Sequence, residues 1–121
     1  MSDPNPAPTP APDDPEDRKI ITLARAARAR AGTEQGACVR DTDGRTYAAT
    51  NIALESMTIS AIQLAVAMAV SSSAPGLEAV ALCGEQEPGP ADLAVVREVA
   101  GAALTVWLID ADGTVRERIE A

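Results

Sequence analysis

Apolar positions alternate between two periods along this chain. From Pro15 to Ala31, Ile20, Leu23, Ala24, Ala27 and Ala31 recur at helical spacing, which predicts a first helix with one narrow apolar face. Asp14 suits its N-cap, Pro15 its first turn and Gly32 its stop, while Arg25, Arg28 and Arg30 fall late, where cations are favoured. Ala37 to Val39 and Thr46 to Thr50 read as two short strands joined by the turn Asp41-Thr42-Asp43-Gly44. A loop runs from Asn51 to Ser56. Thr58 to Val70 is then apolar on most faces, which predicts a helix buried against a sheet or a partner subunit. Leu77 to Cys83 is a nearly continuous apolar strand, as expected for a central position. Residues from Pro90 or Ala91 to Ala100 form a further helix, with Gly101 as its stop, and Leu104 to Ile109 another buried strand. Asp110-Ala111-Asp112-Gly113 turns into an edge strand, Thr114 to Ile119, where Val115 and Ile119 point one way and Arg116 and Arg118 the other. The order α-β-β-α-β-α-β-β predicts an α/β fold: a mixed five-stranded sheet with helices on both faces.

Composition sharpens this reading. The chain has 121 residues, enough for one small domain. With no Phe, one Trp (Trp107) and one Tyr (Tyr47), the core must be aliphatic. Met1 to Pro15 holds six of the nine prolines, and residues 1–14 are expected to be a disordered, acidic, Pro-rich tail before a domain at 15–121. Net charge is −8, and five of the acidic residues fall within the first 17 positions. A nucleic-acid surface needs clustered Lys and Arg, so none is expected. The chain has no His, which removes imidazole bases and imidazole metal ligands together. Two cysteines lie 45 positions apart without a CxxC pair, and no apolar run is long enough to span a membrane. No signal peptide is read, and the cytoplasm is the expected compartment.

Certain residues carry a family resemblance. Gly36-Ala37-Cys38-Val39 with Asp43-Gly44-Arg45-Thr46-Tyr47 resembles the first hairpin of the small cytidine deaminases. Asn51-Ile52 resembles the start of their Asn-x-Glu nucleoside segment. Thr58-Ile59-Ser60-Ala61 resembles Thr-Ile-Cys-Ala-Glu at their catalytic helix, and Arg97-Glu98-Val99 resembles the Arg-Gln-Val after their Pro-Cys-x-x-Cys. The resemblance spans about residues 18 to 119 and implies a cytidine-deaminase-like three-layer sandwich. It also implies a zinc that lowers the pKa of bound water, three ligands, and a Glu that shuttles protons.

This chain departs from that pattern at each chemical position. Ser60 stands at the first ligand position and Ile62 at the Glu position. With Arg97 as anchor, Leu93 and Val96 occupy the two Cys positions; in the alternative register Ala91 and Ala94 do. Ala53 replaces the Glu of Asn-x-Glu. Asn51, Ser60, Ile62, Leu93 and Val96 are therefore expected to line a vestigial pocket with no catalytic residue, no metal ligand and no zinc. Two helix N-termini, near Ser60 and Ala91, are expected to point into it, where they would attract anions or polar ligands.

Other candidates reduce to structure. Cys83 and Cys38 read as small core residues, since activation would need a neighbouring cation or a helix N-terminus, and no His is present. The two D-x-D-G turns lack the extended loop and distant Glu of a calcium site. Glu85 and Glu87 lie in a polar loop. Ser60 lacks a nucleophile elbow. The expected function is a non-catalytic binding or scaffolding protein with a nucleoside-like ligand, assembled as a dimer or tetramer. The alternatives are a cytidine deaminase working through an atypical site, and a structural protein whose tail engages a protein partner.

Overall fold

The computed structural model describes residues 10–121. The expectation of a disordered tail therefore falls, for residues 1–9, outside the described residues. Residues 10–14 lie against the domain: Pro12 is buried, and Arg18 Nη1 donates to the carbonyls of Pro12 (3.0 Å) and Asp13 (2.7 Å).

The elements in chain order are α1 (Pro15–Ala31), β1 (Gly36–Asp41), β2 (Thr46–Thr50), β3 (Ile52–Ala53), β4 (Thr58–Ile59), α2 (Ala61–Ser71), β5 (Leu77–Cys83), α3 (Pro90–Ala100), β6 (Thr105–Ile109) and β7 (Val115–Glu120). Five strands form one mixed sheet in the order β2-β1-β5-β6-β7. Only β5 and β6 run parallel, because α3 carries the chain back between them; the other pairs are antiparallel. The α/β class and mixed five-stranded sheet expected from the periodicity are observed.

Both ends of α1 follow from local chemistry. The Asp14 carboxylate accepts from Glu16 N at 2.9 Å, and Gly32 closes the helix in the left-handed region, donating its N–H to Arg28 O. Its buried face is Ile20, Ile21, Ala24 and Ala27; Ala31, expected inward, is exposed. The helix lies so close to β1 that a Cβ on Gly36 would fall 2.2 Å from Ala24 O. Beneath α1 pack Cys38, Ala79, Ala81, Cys83, Trp107, Ile109 and Val115. The opposite face of the sheet carries α2 and α3 over Val39, Val80, Leu82, Val106 and Leu108. The result is three layers with two cores.

Several local readings change. Residues 51–59 hold the small hairpin β3–β4, not a plain loop. The helix expected from Thr58 starts at Ala61, because Ser60 Oγ accepts from Gln63 N (3.1 Å) while Gln63 Oε1 accepts from Ser60 N (3.3 Å), a reciprocal cap. Val115 and Ile119 do not share a face. A register shift between Leu108 and Ile109 inserts a bulge, so Val115 joins the α1 core and Ile119 the α2–α3 core. Helix α2 is also only half covered: Ala61, Ile62, Ala65, Val66 and Ala69 are buried, but Ala67, Met68 and Val70 face outward. Among the described residues, no helix is long and apolar enough to cross a membrane.

Candidate functional site

A cleft of about 350 Å³ opens where the N-termini of α2 and α3 meet the end of β2 and the β3–β4 hairpin. Its walls are Glu34, Gln35, Asn51, Ile52, Ala53, Thr58, Ile59, Ser60, Gln86, Glu87, Gly89 and Asp92. Secondary structure positions the polar groups. Asn51 follows β2 directly, and its Oδ1 accepts from Gln35 N at 2.8 Å, pinning the approach to β1. Gln35, itself buried, turns its Oε1 to Ala61 N at 3.2 Å, which satisfies the first N–H of α2.

Asp92 forms the floor. It sits in the first turn of α3 and is only 8% exposed. Its Oδ2 accepts from Gly89 N at 3.0 Å, and its Oδ1 accepts the Ser60 hydroxyl at 2.6 Å. That O–H···O⁻ length belongs to the strong, charge-assisted class. The rim is acidic and amide-rich: Gln86 Nε2 donates to Glu34 Oε2 at 3.4 Å, and Glu87 pairs with Arg116 at 3.4 Å.

Of the five residues singled out in the sequence, the structure brings two to this cleft, Asn51 and Ser60. Ile62 (1% exposed) and Val96 (0%) are packed in the α2–α3 core, and Leu93 is partly buried against it. Ala91 and Ala94, the other register, are exposed. The helix N-termini do converge, as expected, but the residue that faces Ser60 is Asp92, which belongs to neither register. Sequence reasoning also missed Gln35. A signal existed for Asp92: an acid three residues after Gly89 just before an apolar helix is the pattern of an N-terminal cap. Likewise Ser60-x-x-Gln63 marks the start of α2.

The donor set can be tested against a zinc ion. Zinc–oxygen distances of about 2.0–2.2 Å with tetrahedral angles would hold two ligating oxygens about 3.4 Å apart. Ser60 Oγ and Asp92 Oδ1 are 2.6 Å apart, joined by a proton. No three His, Cys, Asp or Glu side chains converge to hold a metal among the described residues. These residues do not fit the ion.

A larger cavity, about 440 Å³, lies at the other face between residues 10–14 and Trp107. Its inner polar side chains, Asp17, Trp107 and Arg118, are already engaged. Asp17 accepts from Trp107 Nε1 (3.2 Å) and pairs with Arg40 (2.9 Å), and the Arg118 guanidinium stacks 5.5 Å from the Trp107 ring centre. Both cysteines are free and buried. Burial pushes the Cys38 thiol up to about 11 and raises that of Cys83, so neither offers a thiolate nucleophile near neutral pH.

Known proteins agree on the fold. The family profile described as "Cytidine deaminase-like" matches residues 13–113. No curated protein matches the chain. Among solved structures, a cytidine deaminase from Burkholderia pseudomallei is 22% identical, with a TM-score of 0.68 over 85% of this chain and 89% of that one. A cytidine deaminase from Mycobacterium tuberculosis is 23% identical, with a TM-score of 0.66 over 77% of this chain and 85% of that one. One from Mycobacterium leprae is 18% identical, with a TM-score of 0.66 over 79% and 89%.

Proposed function

This chain belongs to the cytidine deaminase-like family, and from that premise we propose that it is a non-catalytic binding module that keeps the cleft without the family's chemistry. One observation carries the reading: Ser60 and Asp92 meet in a 2.6 Å hydrogen bond at the cleft floor, while Ile62 is buried in the core beside it. A hydroxyl already donated to a carboxylate is a poor metal ligand, and an isoleucine moves no proton. On this reading the protein holds no zinc and generates no hydroxide for attack on a pyrimidine.

The cleft also indicates the ligand class. Free helix N-termini would favour an anion. Here the Ala61 and Gln63 N–H groups are taken by Gln35 and Ser60, and Asp92, Glu34 and Glu87 add negative charge. A neutral, nucleoside-like ligand with several donors fits better than its phosphate ester. Calorimetric titration with cytidine, uridine and their monophosphates tests this. Heat from the nucleosides, weaker heat from the monophosphates and no ammonia from cytidine are expected. Silence with every compound at millimolar concentration would remove the ligand reading, and steady ammonia release would overturn the non-catalytic one.

A second feature favours self-assembly. Leu54 (61% exposed), Met57 (53%) and Val70 (54%), with Met68, form an exposed apolar set on the β3–β4 hairpin and the outer side of α2. The reading is a cytoplasmic homo-oligomer. Light scattering at micromolar concentration should give more than the monomer mass; a clean monomer contradicts it.

A further inference from the structure

We infer that Ser60 and Asp92 form a metal-free clasp that ties α2 to α3 by neutralising two facing helix N-termini. Each N-terminus presents unpaired N–H groups and a partial positive charge. Setting two such ends against each other is unfavourable unless something negative stands between them. The carboxylate of Asp92 stands there. One oxygen caps its own helix through Gly89 N at 3.0 Å, and the other takes the Ser60 proton at 2.6 Å.

Ser60 completes the link because a hydroxyl can donate and accept at once. It donates to Asp92 while accepting from Gln63 N at 3.1 Å, so the negative charge is relayed into the first turn of α2. Gln35, in the loop between α1 and β1, takes the Ala61 N–H. The role that a bound cation and its anionic ligands would fill, joining two helices at one point, falls to a single buried carboxylate and a hydroxyl. Their separation leaves no space for an ion. The integrity of the cleft therefore depends on the charge of Asp92 and not on metal supply.

Thermal unfolding of the full chain tests the clasp. Ser60→Ala and Asp92→Ala should each lower the melting temperature by about 4–8 °C. The double variant should fall by clearly less than the two losses combined, because each change removes the same bond. Asp92→Asn, which keeps the shape and an acceptor, should lie between wild type and Asp92→Ala. A chelator should leave the wild-type melting temperature unchanged, and added zinc should not raise it. Additive losses, an Asp92→Asn variant as stable as wild type, or a zinc-dependent rise reversed by chelator would each overturn the clasp. The clasp can also fail separately from the binding reading: a nucleoside that binds while Ser60 and Asp92 prove uncoupled leaves the ligand and removes the clasp.

Discussion

Asp17 on the α1 face and Asp92 on the α2–α3 face are both withdrawn from solvent, but by different partners. Asp17 meets a cation: Arg40, only 7% exposed, bridges it (2.9 Å) to Glu78 (2.8 Å), and Trp107 donates to it as well. That arrangement locks α1, β1, β5 and β6 together. Asp92 meets no cation. Its partners are a hydroxyl and a backbone N–H, and they sit in the floor of an open cleft. The two settings differ in what they leave open to a ligand. The ionic lock joins elements inside the fold, with Arg40 Nη1 buried and without a hydrogen-bond partner among the described residues. The carboxylate at the base of the cleft is instead ringed by walls, Asn51 and Gln86 among them, that border the space a ligand would enter.

Breaking the lock should cost most. Arg40→Met removes the cation that bridges Asp17 and Glu78 and leaves the Asp17 carboxylate, in the first turn of α1, with the Trp107 N–H but no facing charge among the described residues, so denaturant unfolding should show a loss of about 3–5 kcal/mol. Ile62→Glu comes next. It restores the carboxyl that the resemblance implies, but at a site 1% exposed in an aliphatic core. It should lose about 3 kcal/mol in the same assay and gain no ammonia release from cytidine. Ser60→Ala should be milder, about 1–2 kcal/mol, because it removes a helix cap and one bond to Asp92.

The smallest effect separates the faces by pH. The Cys38 thiol, pushed by burial from 9.0 to about 11, belongs to the α1 core. Its folded-state value is raised, so its contribution to stability is complete below 9.0 and is lost as pH rises through about 11. Cys38→Ala should flatten that alkaline limb. In the native protein at pH 8, labelling by a thiol reagent should wait for unfolding.

How much of this was legible in the chain follows from the range of the forces involved. The boundaries of α1 were readable because Asp14, Pro15 and Gly32 act within one turn. Strand β5 was readable because its apolar run is continuous from Ala79 to Cys83. The bulge opposite Leu108 and Ile109 was not: period-2 alternation assumes an unbroken ladder, and one extra residue turns Ile119 to the other core. At the site, Asn51 and Ser60 were found through residue resemblance. Ile62, Leu93 and Val96 match motif positions but belong to the α2–α3 core and not the cleft, because matching positions in a motif says nothing of which way a side chain points once its polar partner is gone. Gln35 and Asp92 were missed because their partners lie 26 and 32 positions away, at Ala61 and Ser60.

Whether the cleft works without a metal is read from the zinc content of protein purified without added zinc and dialysed against metal-free buffer. Only trace zinc is expected, unchanged between wild type and Asp92→Asn. A full zinc equivalent per chain that falls away in Ser60→Ala or Asp92→Asn would contradict it.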